Sequence, residues 1–121
     1  MLHDPGSDLA RIQAEARQRL AAYRTPEAER RRLRHRLTST LGKLEGAPPA
    51  QAAFLTRTSL WTLAEALCAV NEHPPPTVTR MWELLPDLPQ QPQGDWLGDL
   101  LGGPGEVRAF QGVAGWVLTR L

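Results

Sequence analysis

The sequence has very little cysteine and no long apolar run. Its only cysteine, Cys68, can form neither an intramolecular disulfide nor a zinc site built from several cysteines. No segment approaches the roughly 20 apolar residues of a membrane-spanning helix, and the N-terminus lacks the apolar core of a signal peptide. These absences predict a reduced, cytoplasmic setting and no membrane partner.

The motifs of common enzyme classes are also missing. There is no phosphate-binding glycine loop, no His-Glu-x-x-His pair and no nucleophile elbow, and no spacing supports a metal site. The alternation of polar and apolar residues that marks a strand does not occur either. The residues alone therefore predict neither an enzyme nor a β-sheet.

Apolar residues instead recur every three to four positions, which predicts an all-α bundle of five to six helices in one domain over residues 1–121. The segment 50–71 is apolar over most of its circumference and is predicted to be one central helix. Prolines precede it, and His73 with three following prolines ends it. In the last helix, Gly112 and Gly115 are expected to let a neighbouring backbone approach closely.

The N-terminal region is expected to be peripheral. Residues 1–6 are predicted to be extended, with Ser7 as the N-cap of a first helix. That helix carries a narrow apolar stripe, formed by Leu9, Ile12, Ala16 and Leu20. That stripe is narrow, so the helix is expected to be peripheral. Residues 2–5 read like the end of a strand whose partners are absent, which predicts an apolar patch near the N-terminus that a second copy or another domain covers.

Charge is unevenly distributed along the chain. The net charge is only +1, but residues 1–60 hold 11 basic and 6 acidic side chains, whereas residues 61–121 hold 3 and 7. Thirteen of the 14 cations are arginine, and six of these lie within residues 24–36. Such density suggests an anionic partner, for example RNA or another nucleic acid, a nucleotide or an acidic protein face. A solvated helix face is the alternative.

Arg57 and Trp61 are the candidate ligand-binding residues. A helical wheel places Arg57 within an apolar arc that includes Trp61, so its guanidinium needs a partner. That partner is either an acid such as Glu106 or Asp99, or an anion bound at a pocket mouth. Trp61 belongs to a set of tryptophans distributed one per helix, which suits a core anchor as well as a ligand-stacking role.

Arg30 and His35 form an alternative catalytic pair. Their Arg-x4-His spacing is similar to that of ribonucleases of the HEPN superfamily, in which a pair from each of two subunits meets at the cut phosphate. On a continuous helix the two side chains project about 140° apart. Arg30 lies on the same side as the leucine seam, which is formed by Leu33, Leu37, Leu41 and Leu44, and His35 points away from it. A shared site therefore requires a dimer or a helix that begins late. A surface histidine on a basic face is the alternative.

Three stretches carry a further resemblance: residues 2–6 (LHDPG), 67–75 (LCAVNEHPP) and 81–89 (MWELLPDLP). Together they resemble the C-terminal, HEPN-type helical domains of bacterial nucleotidyltransferase-fold proteins, a group that includes the aminoglycoside nucleotidyltransferases. The resemblance implies a non-catalytic domain that binds or orients a nucleotide, a substrate or a partner. The partner would be a nucleotidyltransferase domain, to which residues 1–6 would belong, or a second copy in a homodimer.

The catalytic half of that family carries a Gly-Ser helix start followed by an Asp-x-Asp pair. Here Gly6-Ser7 is followed by Asp8 alone, so no transferase residue can be assigned. The resemblance thus implies no cofactor for this chain. Magnesium and a nucleoside triphosphate would enter only with a catalytic domain.

Overall fold

A computed structural model describes residues 5–103 and 105–121, and the side chains of residues 8–103 and 105–121. The described residues form helices joined by loops, with no strand among them, which confirms the predicted all-α bundle. Seven α-helices occur in them, rather than five or six: α1 (Pro5–Ala22), α2 (Glu27–Leu44), α3 (Pro49–Thr58), α4 (Leu60–Val70), α5 (Val78–Leu84), α6 (Trp96–Leu101) and α7 (Glu106–Leu118). A short 3-10 helix (Leu85–Asp87) follows α5. None of the helices in the described ranges is both long and apolar enough to cross a membrane.

The additional helix arises because the predicted central helix is divided at Ser59. The Ser59 N–H donates to the carbonyls of Leu55 and Thr56, and the Thr58 hydroxyl donates to backbone carbonyls one turn earlier. Hydroxyl side chains that bond to the preceding turn compete with regular helical bonding and bend helices. One helix over residues 50–71 therefore becomes two.

The second of these two helices, α4, is the centre of the core. Seven of its eleven residues are buried, whereas α3 buries only Ala52 and Thr56. Helices α2 and α7 pack against α4, and α7 also contacts α3 and α6. The leucine seam of α2 meets α4 through Leu33 and Leu37, and Phe110 and Val117 of α7 are fully buried.

Helix α1 begins earlier than the sequence predicts. Pro5 and Gly6 belong to its first turn and Ser7 lies within it, so the predicted extended segment and the Ser7 cap are wrong where they fall on these residues. The fixed φ of proline suits the first turn of a helix, which accounts for a start at Pro5. The rest of the predicted segment, residues 1–4, lies outside the described residues.

The two glycines of α7 do not form the predicted packing contact. Gly112 is exposed, and a Cβ atom placed on either Gly112 or Gly115 would have no neighbour within 4 Å. Helix α7 instead packs through Val113 and Ala114, which are buried on its opposite side. The glycines therefore face open space.

Candidate interaction surface

The arginines of α2 divide into a set that faces the bundle and a set that faces solvent. Arg30 belongs to the first set: its Nη2 donates to the backbone carbonyl of Ala69 at 2.9 Å and to the carboxylate of Glu72. The Arg30 side chain is only 17% exposed. It therefore gives a second hydrogen bond to the Ala69 carbonyl, which at the end of α4 also accepts from the Glu72 N–H.

Glu72 holds the other half of this contact. Its Oε2 accepts a hydrogen bond from the Thr25 N–H at 2.7 Å, and the Thr25 hydroxyl lies 3.5 Å from the Ala69 carbonyl. Thr25, just before α2, thus contacts the end of α4. One carboxylate ties the α1–α2 connection, the first turns of α2 and the end of α4 together.

Glu72 achieves this from a left-handed backbone conformation, with φ at 52°. The His73 N–H donates to the Cys68 carbonyl and the Glu72 N–H donates to the Ala69 carbonyl. This pair of bonds is a Schellman motif, in which the left-handed position usually holds glycine. A glutamate is found there because its side chain is needed as an acceptor.

Arg32 and Arg34 are also engaged. Arg32 donates to Glu29 of its own helix through Nε at 2.9 Å and to Glu65 of α4 at 3.3 Å. Arg34 donates to the backbone carbonyl of Leu121 at 2.6 Å, which fastens the C-terminal end of the chain to α2. Arg24 donates to the carbonyls of Ala21 and Tyr23, so four of the six arginines in residues 24–36 make hydrogen bonds within the chain.

These contacts move two carboxyl pKa values. Burial raises the pKa of Glu72, but the Thr25 N–H and the Arg30 guanidinium stabilise its charged form more strongly, so the pKa lies below its usual value. The pKa of Glu29 is lowered by its hydrogen bond to Arg32, against a smaller effect of burial. Both carboxylates remain ionised in the folded chain at neutral pH.

The solvent-facing set is spread over the exposed side of α2, where Arg31 and Arg36, five residues apart, project about 140° from one another with His35 and Lys43 between them. Arg31, His35, Arg36 and Lys43 are exposed, and no hydrogen bond or ion pair holds them among the described residues. Small exposed side chains separate them along the helix, namely Ala28, Thr38, Ser39 and Gly42. We call the surface formed by Arg31, His35, Arg36 and Lys43 the basic face.

The structure does not bring Arg30 and His35 together in one chain. Arg30 is turned toward α4 by its contacts with Ala69 and Glu72, while His35 is exposed, as the helical wheel predicts. A catalytic Arg30 would have to release Glu72 first. The ribonuclease interpretation remains a prediction.

Arg57 has the acid partner that one interpretation of the sequence required. Its Nη2 donates to Glu106 at 3.2 Å, with the Arg57 side chain 69% exposed and that of Glu106 17% exposed. Trp61 is half-buried and packs against the core. These contacts are those of an ordinary surface ion pair and a core anchor.

Cys68 and the metal-binding side chains give no further site. Burial, with a smaller effect of Glu65, raises the pKa of the Cys68 thiol to about 11, so it is not a ready nucleophile. Its Sγ lies 3.7 Å from the Met81 sulfur inside the core. Among the residues that the structure describes, no three His, Cys, Asp or Glu side chains are grouped to hold a metal ion.

Two surface grooves that carry charged side chains are less distinctive than the basic face. One of about 320 Å³ lies between α6 and α7, where Asp99 and Arg108 offset each other in charge. Another, of about 300 Å³, lies beside α5 and contains Arg80 and Glu83 together. Opposite charges in each groove favour no single class of ligand.

Sequence analysis missed Glu72 as the residue that organises this region. The available signal was an acid directly after an apolar helix and before His73 and the prolines, the place of a left-handed C-terminal residue.

Comparison of the chain with protein-family profiles, with curated proteins and with solved structures finds no match.

Proposed function

We propose that this chain is a non-catalytic helical binding domain that holds a nucleic acid strand on the basic face of α2. The observation that carries the proposal is that, among the described residues, no carboxylate forms an ion pair or hydrogen bond with the exposed side chains of Arg31, Arg36 and Lys43, although neighbouring arginines are paired in this way. Arg36 acts on Glu29 only as a more distant positive charge. Lone exposed cations beside small side chains suit contact with phosphate oxygens, which need charge but little shape.

The balance of charge on α2 supports an anionic partner. Helix α2 carries six cations and two acids, and one of those acids, Glu29, is neutralised by Arg32. Because the inward arginines are already bound within the bundle, the remaining positive charge acts outward. Such a surface attracts a polyanion through counterion release.

The resemblance to helical domains of nucleotidyltransferase-fold proteins suggests that this binding domain acts together with a catalytic domain. Beside a catalytic domain of that kind, it would bind or orient a nucleotide-bearing substrate, while magnesium and the nucleoside triphosphate would be held by the catalytic domain. A cytoplasmic setting, which the single buried cysteine favours, fits this role.

Binding of labelled single-stranded RNA and DNA, followed by fluorescence anisotropy at several salt concentrations, tests the proposal. If the basic face contacts three phosphates, log K should fall with log salt with a slope of about −2. Arg31→Gln/Arg36→Gln should weaken binding by roughly tenfold at low salt and flatten that slope by about 1.4. Because both side chains are exposed, the fold should be unaffected.

The matched control is Arg80→Gln/Arg108→Gln, which removes two exposed arginines from other helices. Equal losses in the two variants would mean that net charge alone causes binding. Absence of binding at low salt would exclude the proposal. The integrity of the RNA, read on a gel for the wild type and for His35→Ala, tests the ribonuclease alternative in the same experiment.

A further inference from the structure

Helix α1 leaves its apolar stripe uncovered. Leu9, Ile12 and Leu20 are 56%, 59% and 43% exposed, and Ala16 is exposed between them. Within the described residues, the extensive helix-to-helix contacts involve α2 to α7 and not α1. Most of the stability of a helix in a protein comes from the packing of its apolar face, so this 18-residue helix is expected to gain stability from a partner.

We infer that the partner is α1 of a second copy, packed antiparallel. Two copies related by a two-fold axis near residue 14 would bring Leu9 of each to the level of Leu20 of the other. Ile12 of each would lie opposite Ala16 of the other. The stripe is then self-complementary, with a large side chain facing a small one on both sides of the axis.

The order of charges along α1 favours the antiparallel direction. The acid in the first turn is Asp8, which lies near Arg11, and the base in the last turn is Arg19. Asp8 and Arg19 flank the stripe on the same side, because they are 11 residues, or about three helical turns, apart. In an antiparallel pair, Asp8 of each copy therefore lies near Arg19 of the other copy, which gives two equivalent contacts between opposite charges. A parallel pair would instead place Asp8 near Asp8 and Arg19 near Arg19.

The size of the α1–α1 contact determines the expected affinity of the dimer. An α1–α1 contact is about 27 Å long and carries four apolar positions per copy. That contact is at or below the roughly 1,000 Å² at which stable interfaces begin, so the dimer should form in the micromolar range. Helicity of α1 should increase with the dimer because folding and association are coupled.

Sedimentation velocity over a series of concentrations measures this dimer. The wild-type chain should pass from monomer to dimer in the micromolar range, with ellipticity at 222 nm rising in parallel. Ile12→Asp should weaken the dimer by roughly a hundredfold, because two copies of the side chain are lost from each dimer. Since Ile12 is exposed in the single chain, unfolding of the bundle does not confound the result.

Exchanging the charges at positions 8 and 19 tests whether the two α1 helices run antiparallel. Arg19→Glu should weaken the dimer, and Asp8→Arg/Arg19→Glu should restore it, because the exchanged pair again has opposite signs. A Gln13→Cys variant should form a disulfide-linked dimer under mild oxidation, since residue 13 lies beside the stripe near the axis. Gln18→Cys, on the outer side of α1, is the matched control and should not.

A chain that stays monomeric at every concentration would overturn the inference. So would α1-dependent binding to anionic vesicles by a monomeric chain, which would assign the stripe to a membrane surface. Failure of the charge exchange to restore the dimer would overturn the antiparallel arrangement. None of these results changes the RNA-binding experiment, because that experiment alters α2 and this one alters α1.

Discussion

Arg30 and Glu72, which are 42 positions apart in the chain, form an ion pair that joins the beginning of α2 to the end of α4. Both side chains are largely shielded, at 17% and 29% exposure. The same guanidinium satisfies the Ala69 carbonyl and the same carboxylate satisfies the Thr25 N–H. An arginine that resembles part of a catalytic pair by spacing is therefore a structural connector in the single chain.

Glu72→Ala should destabilise the fold by about 1–3 kcal/mol, because Arg30 and the Thr25 N–H both lose their acceptor. Glu72→Gly loses the same bonds but removes the strain of a Cβ in the left-handed region, so it should be about 1 kcal/mol more stable than the alanine variant. Urea unfolding followed by circular dichroism measures both. Equal stability of the two variants would contradict the left-handed conformation, and no loss in either would contradict the contact.

Stability should decline in acid partly through Glu72. Its pKa in the folded chain lies below the ordinary value of 4.5, so the unfolded chain binds the proton more readily. The contribution of Glu72 is therefore complete above about pH 4.5 and is lost as the pH falls through the lower, folded pKa. Unfolding free energies between neutral pH and pH 3 should be less steep in Glu72→Gln than in the wild type; identical slopes would show that other carboxyls, such as Glu29, account for the acid sensitivity.

The division of the predicted central helix has a measurable consequence. Leu67 is 1% exposed within α4, whereas Leu60, at its first turn, is only partly buried. Leu67→Ala should cost about 2–5 kcal/mol as a cavity in a packed core, and Leu60→Ala should cost less. Leu20→Ala, on the exposed stripe of α1, should leave the stability of the monomer nearly unchanged. A loss at Leu60 as large as that at Leu67 would favour one continuous central helix.

The parts of the fold that the sequence predicts well are those with long local signals. The apolar period of α2 and the end of α4 before His73 and its three following prolines both follow from neighbouring residues. The break at Ser59 is less visible, because it depends on how the Thr58 hydroxyl and the Ser59 N–H share the Leu55 carbonyl. Helix propensity alone does not resolve that competition.

The candidate site was predictable only in part, for a physical reason. A run of arginines indicates charge, but which of them faces solvent depends on partners far away in sequence, such as Glu65, Glu72 and the Leu121 carbonyl. For Arg57, in contrast, the helical wheel predicts that the guanidinium needs a partner, and Glu106, one of the acids named from the sequence, is that partner. Long-range pairing therefore separates the basic face from the structural arginines.

Arg57→Met should lower the unfolding free energy by less than about 1 kcal/mol, because exposed ion pairs contribute little. Glu106 lies in the first turn of α7, where the helix dipole stabilises a negative charge even without Arg57. Binding of RNA should remain as in the wild type. A clear loss of RNA binding in this variant would move the anion site from the basic face to Arg57.

Thr56 offers a test of the core in which a substitution should stabilise the protein. Its side chain is fully buried in α3, and its hydroxyl has no hydrogen-bond partner among the described residues. A buried hydroxyl without a partner is unfavourable, and valine fills nearly the same space with a methyl group in its place. Thr56→Val should therefore raise the unfolding free energy by about 1 kcal/mol. Thr56→Ala is the matched control: it removes the same hydroxyl but also a methyl group, so it should be less stable than the valine variant by about 1 kcal/mol. If valine instead destabilises the chain in urea unfolding, the hydroxyl has a partner in solution, and a buried water held between α3 and its neighbours becomes the explanation to test.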